Sequence, residues 1–508
     1  LKIKRKEIRK EPKPMARKTG PTYTIEFPLH IPVWQQHRLE KKFKIARMVY
    51  NSCLGEVLKR HQAVKSDKVY LKLLKQPKSK NRDKKLSNIR ENYGFSEYGT
   101  HNFVKSVQNK FKEHIGSLEA QKLATRSFQT VEKLHFGKSK KVHFKKMTDN
   151  ISVENKSNKT GLRYSEGAIL WGDKPTKKNP KPKNWLLMPI SPKPNDEYAD
   201  LALMDKTKYV RILKREVRGK VRYFVQLIQE GYPPQKKNRK ICNDETKRVG
   251  LDIGTSTIAI CSEDQVKLQE LAPDCVYNEK ELRRIQRKMD RSKRSMNPNN
   301  FNENGTIKKG KLNWIYSKKY EELRKKRKEI YRKITVQRKM SHEKLANVIL
   351  SFGSDVRVET MRFQSLQKRA KNPTRNKKNG KINCKKRFGK SIAKRAPAML
   401  LTIIDRKLSY QNRSLKKIDT YATKASQFNH ITKEYSKKQL SERWNVFGDV
   451  RIQRDLYSAF LICNTTKTLN AVDVDLCNTK WDEFVKLQNI EVNYLKKAQS
   501  KTLRWFVA

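Results

Sequence analysis

The sequence predicts a multidomain α+β chain: a β-barrel-like front unit with a helical bundle inserted into it, followed by an α/β domain. Three observations predict it. An alternating segment near residues 23–31 is separated from further alternating segments at about 135–245 by a long run of helical period. A different set of apolar strands opens at residue 248. Three carboxylate-bearing segments, Leu251–Thr255, Val358–Met361 and Gln453–Ala459, then follow one another in the second half. A length of 508 residues suggests roughly two to four domains with room for real cores.

Residues 1–20 are basic, Pro-containing and aperiodic, as expected of a flexible arm. Tyr23, Ile25, Phe27, Leu29 and Ile31 alternate strictly and predict a strand, so 21–36 is the first part of the barrel. The period then changes. Leu39, Phe43, Ala46, Val49, Tyr50, Cys53, Leu54, Val57 and Leu58 share one helix face, and Lys-rich helical sequence fills 37–132. Over 133–246 strands return. Arg218-Gly219-Lys220 between two β-branched runs is a hairpin signal, and Lys/Pro-rich 172–184 reads as an exposed loop.

The α/β domain is expected over 247–422. Val249, Leu251 and Ile253 share one strand face, which leaves Asp252 on the other. A helical insertion at 278–350 is broken by the Asn/Gly/Pro-rich loop 296–310. Strand Val356–Glu359 follows, then a basic stretch, a helix from Ile392 to Leu408 and a strand near Leu415–Tyr421. A helix begins at Asp455 within 453–464, and 465–508 reads as a C-terminal tail.

The charge limits the partners. The chain holds 118 Lys and Arg against 50 Asp and Glu, a net charge of +68. Self-repulsion on this scale destabilises the compact state unless a polyanion neutralises it, so a nucleic-acid partner is expected. On composition alone a ribosomal or chromatin-like binder fits as well. Seven scattered cysteines, none in a CxxC pair, predict a reducing cytoplasm and no zinc site. No apolar run reaches the roughly 18 residues of a membrane helix, and the charged N-terminus has no apolar h-region, so neither a membrane span nor a signal peptide is expected.

Two strand carboxylates and one helix carboxylate are what a ribonuclease-H-like fold supplies to two divalent metals that hydrolyse a phosphodiester. Asp252, Glu359 and Asp455 are therefore the candidate catalytic and metal-holding residues, with Mg²⁺ or Mn²⁺ as the ions. Asp455 alone could simply complement its helix dipole. Gly250–Ser256 also looks like the phosphate loop of sugar kinases, but those folds need further Gly-rich loops, and only 19 glycines are present. Between Glu359 and Asp405 there are fourteen Lys and Arg and no carboxylate, a run suited to phosphates. Arg362, Lys385, Lys386 and Arg387 belong to it; Arg283, Arg284, Arg287 and Arg291 recur at roughly helical spacing, and Arg454 precedes the last acid. All nine are candidate nucleic-acid contacts.

Together these segments resemble transposon-encoded TnpB proteins and the related compact type V CRISPR effectors, both RNA-guided DNA nucleases with a RuvC domain. Gly250–Thr255, Val358–Met361 and Arg454–Ala459 look like the three RuvC motifs in their usual order, the last being the most specific. Arg47–Asn51 looks like the early helical motif of that group, and the stretch around Phe144–Lys146 resembles its basic segment more weakly. The resemblance implies an N-terminal wedge barrel with an inserted recognition bundle, then a RuvC nuclease domain with its metals at Asp252, Glu359 and Asp455. It implies a guide RNA pairing with unwound double-stranded target DNA, in a prokaryotic, nucleoid-associated cytoplasmic protein acting as monomer or dimer. The four-cysteine zinc element usual between the second and third motifs has no cysteine here over 423–452. A metal-free element held by Phe428, Tyr435, Trp444 and Phe447 is expected in its place. Two alternatives stay open: a nuclease-inactive RNA-guided repressor and a transposition-associated DNA-joining protein.

Overall fold

A computed structural model describes residues 20–147, 149, 151–172, 185–235, 242, 244–368, 374–375, 388–437, 439 and 442–508. The chain divides into two compact units, Leu1–Lys236 and Lys237–Ala508. No described helix is long and apolar enough to cross a membrane.

In the first unit β1 (Thr22–Pro28) leads into α1 (Val33–Ser66), α2 (Lys68–Lys75), α3 (Lys80–Asn92), α4 (Glu97–Asn109) and α5 (Ser117–His135). The chain then returns through β2 (Ser152–Glu154), β3 (Arg163–Ser165), β4 (Ala168–Trp171), β5 (Leu186–Pro189), α6 (Glu197–Met204), β6 (Thr207–Val217) and β7 (Lys220–Glu230). Alternation in β1 buries Tyr23, Ile25 and Phe27, and α1 buries its predicted stripe from Leu39 to Val57. Arg218 and Gly219 both have positive φ, which is the backbone a two-residue hairpin between twisted strands requires. The Asn51 amide exchanges hydrogen bonds with the Lys145 backbone at 2.9 and 2.8 Å, so the two motif-like segments of the front half meet.

The expected wedge barrel does not close among the described residues. Its strands form two sheets, β1-β7-β6-β2 and β3-β4-β5, linked by a bridge between Leu29 and Ile190. Closure needs every edge strand to find a partner along its length. At three residues each, β2 and β3 offer too few backbone bonds to join the edges.

The second unit is built on a five-stranded sheet. β8 (Arg248–Ile253), β9 (Thr257–Ser262) and β10 (Val266–Glu270) form an antiparallel meander. The helical hairpin α7 (Glu279–Ser295) and α8 (Lys318–Phe352) follows, and β11 (Asp355–Glu359) then pairs parallel to β8. α9 (Phe363–Leu366), α10 (Gly389–Arg395) and α11 (Pro397–Ser409) precede β12 (Lys416–Ile418), parallel to β11. α12 (Thr420–Thr423), the hairpin of β13 (Trp444–Phe447) and β14 (Val450–Gln453), α13 (Arg454–Cys463), α14 (Val474–Lys496) and α15 (Lys501–Phe506) complete it. The strand order is β10-β9-β8-β11-β12.

Strand alternation gives this sheet two different faces. Val249, Leu251, Ile253, Val356 and Val358 pack with Leu345, Ile349, Leu400 and Ile404 of α8 and α11. Ala259 and Cys261 turn the other way, into a core with Leu456, Ala459 and Phe460 of α13. Gly250 lies on that second face, opposite Cys261. A Cβ there would collide with the Ala459 carbonyl and the Cys463 amide, so only glycine lets α13 lie this close. Gly250→Ala is expected to destabilise the fold by roughly 1–3 kcal/mol through overpacking, read as a lower melting temperature.

The segment 465–508, expected as a tail, is ordered instead as α14 and α15. Cys477, Phe484, Val492, Leu495, Phe506 and Val507 are buried in the same core as α13. In the cysteine-free element, the Phe428 and Tyr435 rings pair at 4.9 Å. Phe447 packs on Tyr457 at 5.0 Å and on Trp481 at 5.3 Å, while Trp444 donates its indole N–H to the Ala508 carbonyl at 2.9 Å.

Candidate functional site

Each of the three carboxylates is placed by the period of its own element. Asp252, between buried Leu251 and Ile253, is on the α13 face of β8, opposite Ala259. Glu359 ends β11, one residue past Val358, which pairs with Leu251. By alternation from Arg357, which reaches Thr465 just beyond α13, Glu359 lies on the same sheet face. Asp455 stands in the first turn of α13, where Gln453 caps the helix by accepting from the Leu456 amide at 2.8 Å.

The three acids interact. Burial is the largest cause raising Asp252 well above the usual carboxylate range, and the charges of Asp455 and Glu359 raise it further. Burial also raises Glu359. It raises Asp455 as well, against the opposing pull of Arg443, Arg454 and the Gln453 side chain. The donors are hard oxygens, the chemistry that Mg²⁺ or Mn²⁺ takes. Concentrated, half-buried negative charge of this kind is what a divalent cation neutralises.

Their grouping is looser than a closed cage. Asp252 and Asp455 line one cleft of about 710 Å³, with Thr255 and Ser256 on one side and Lys501, Thr502, Trp505 and Phe506 on another. Glu359 instead lines a cavity of about 280 Å³ with Thr360, Asp405 and Lys417. Among the described residues, no three His, Cys, Asp or Glu side chains stand close enough to hold a metal ion. Mutual repulsion of like charges favours such a spacing.

Arg443 enters the same cleft, and sequence reasoning missed it. Its Nη1 stands 3.9 Å from Asp455 Oδ2. Its buried Nε has no hydrogen-bond partner among the described residues. The guanidinium carbon lies 4.3 Å from the Trp505 ring centre and 4.4 Å from that of Phe506. Nothing near residue 443 in sequence signals this, because the rings come from more than sixty residues further on.

The predicted nucleic-acid contacts divide. Arg283, Arg284, Arg287 and Arg291 all lie exposed on α7, whose Leu282, Ile285 and Met289 face inward. Arg283 pairs with Glu279 at 3.4 Å. Arg362 is exposed. Lys385, Lys386 and Arg387 lie outside the described residues. Arg454 donates to the Gln439 carbonyl at 2.9 Å and to that of Glu442 at 3.5 Å, so it braces the loop before β13.

No protein-family model matches the chain, and neither does any curated protein. Among solved structures, it is similar to a Cas12f1–sgRNA–target DNA complex, with a TM-score of 0.42 and 13% identity over 88% of this chain and 99% of that one. It is also similar to a CRISPR-Cas12f ternary complex, with a TM-score of 0.25 and 14% identity over 85% of this chain and 82% of that one.

Proposed function

We propose that the chain is an RNA-guided, divalent-metal-dependent DNA endonuclease whose second unit is a RuvC-type, ribonuclease-H-like nuclease domain. One observation carries the reading. Asp252 and Glu359 lie on one face of a β10-β9-β8-β11-β12 sheet in which only β9 runs against its neighbours, and Asp455 opens the helix packed on that face. Asp252, Glu359 and Asp455 would hold two Mg²⁺ ions, their side chains drawing closer than they stand here to do so. When bound, such ions supply an activated water and neutralise charge on the leaving oxygen.

The chain's own residues do the rest. Arg443, which lines the cleft beside Asp455, brings a positive planar fork suited to gripping the phosphate under attack. The exposed arginines of α7 are suited to a nucleic-acid backbone, and the net charge of +68 asks for a long polyanion. Guide RNA and target DNA are the polyanions that the motif resemblance implies.

The test begins with the RNA that copurifies with the full chain. It is sequenced, and the complex is given Mg²⁺ and a plasmid library carrying the matching target with randomised flanks. Cutting at the match, dependent on the RNA and abolished by chelation, is expected. Specific binding without cutting would establish the repressor reading instead.

A further inference from the structure

We propose that Trp505 is a positioning residue for the nuclease site: its indole, with the Phe506 ring beside it, holds the Arg443 guanidinium in the cleft so that its terminal donors meet the scissile phosphate. This rests on the nuclease reading above.

Among the described residues, Arg443 is held chiefly by two aromatic rings. Two aromatic rings lie within 4.3 and 4.4 Å of its guanidinium carbon. Its one ion pair, at 3.9 Å to Asp455, is longer than a hydrogen bond, and its Nε is unpartnered among the described residues. Stacking occupies the faces of a guanidinium, whereas all five N–H groups point outward in its plane. The Trp505 and Phe506 rings stand at 84° to each other, so one of them at most meets a guanidinium face, and the terminal Nη fork is the part left to grip a phosphate. A carboxylate partner at hydrogen-bond distance would occupy that fork.

Trp505 is placed for this task and not for core packing. It is 55% exposed, whereas the next two residues, Phe506 and Val507, are 7% and 2% exposed and anchor the segment. The backbone around it is tied to the site. Gln453, the cap of the helix carrying Asp455, also donates to the Phe506 carbonyl at 3.4 Å. Ser500 caps α15 and donates to Glu270 at the end of β10. The indole is thus held in register with Asp455, and the sheet, the catalytic helix and α15 share one frame.

The experiment uses the full chain with its copurified RNA, on the target selected above, under single-turnover conditions with saturating complex. Trp505→Leu is expected to slow cleavage about tenfold, through the loss of a cation–π contact and of the guanidinium position that it sets. Target affinity, read by mobility shift, should not change. Trp505→Phe, which keeps an aromatic face, should stay within about threefold of the parent rate. Added to Arg443→Ala, Trp505→Leu should cause no further loss, because the indole acts only through the guanidinium. Full activity of Trp505→Leu would overturn the proposal, as would a loss that adds to that of Arg443→Ala, or one that Phe fails to rescue while the melting temperature falls. Cutting by Asp252→Ala would sink the nuclease reading itself. If Asp252→Ala is dead and Trp505→Leu is fully active, only the positioning role fails.

Discussion

Asp252→Ala is expected to lower the cleavage rate by on the order of 10⁴-fold while raising thermal stability. The two effects have one physical cause. Asp252 is raised well above its ordinary range by burial and by the charges of Asp455 and Glu359. Two acids on one sheet face and a third on the helix packed against it weaken the fold, and an active site accepts that strain for its chemistry. Removing the central charge relieves the repulsion and removes an oxygen donor at the same time. The prediction also separates a metal-holding acid from a structural one. Mg²⁺ should raise the melting temperature of the parent chain by binding the folded state, and should do so far less in Asp252→Ala. Differential scanning fluorimetry with and without Mg²⁺ reads this without any substrate. A variant that still cuts, or one that melts earlier and keeps the full Mg²⁺ response, would remove Asp252 from the site.

Sequence patterning reached the parts of this site that are governed by local period. Asp252 stands in a strand whose apolar neighbours define its opposite face, and Asp455 opens a helix with an apolar stripe, so both could be placed from their own elements. The acid in β11 could be assigned to a strand end but not to a cavity, because its surroundings come from α11 and the segment around Leu415. Arg443 and Trp505 were invisible for the same reason. Neither stands in a local pattern that marks it, and only tertiary packing brings the two together. The ordered 474–506 helices were missed because their apolar residues are widely spaced among charged ones, and the barrel was over-read because alternation reports strands but not how their edges pair.

Arg357→Ala is expected to destabilise the second unit by about 1–3 kcal/mol, the penalty for stranding the buried Thr465 acceptors while Asp355 keeps Lys416 at 2.9 Å. Arg357 lies mid-strand in β11 with only 2% of its surface exposed. It holds Asp355 at 2.7 Å and donates to the Thr465 hydroxyl oxygen at 3.0 Å and to the Thr465 carbonyl. One side chain thereby pins the C-terminal end of the helix that begins at Asp455 to the strand that ends at Glu359. Burial pushes Asp355 upward, but Arg357 and Lys416 together outweigh it and hold the carboxyl below its usual range. A depressed carboxylate adds stability above its unfolded pKa of about 3.9, and that increment is lost as pH falls through the folded value. Without Arg357 the share of the increment that it supplies is absent, so the gap between variant and parent should narrow as pH drops below about 4. Denaturant unfolding at neutral and acid pH measures both effects. Asp355→Leu with Arg357→Met should recover part of the loss, because apolar side chains then fill the space of the buried pair. If the single variant unfolds no more readily than the parent, Arg357 does not couple the strand to the helix, and the spacing of Glu359 and Asp455 must be set by the apolar core of α13 alone.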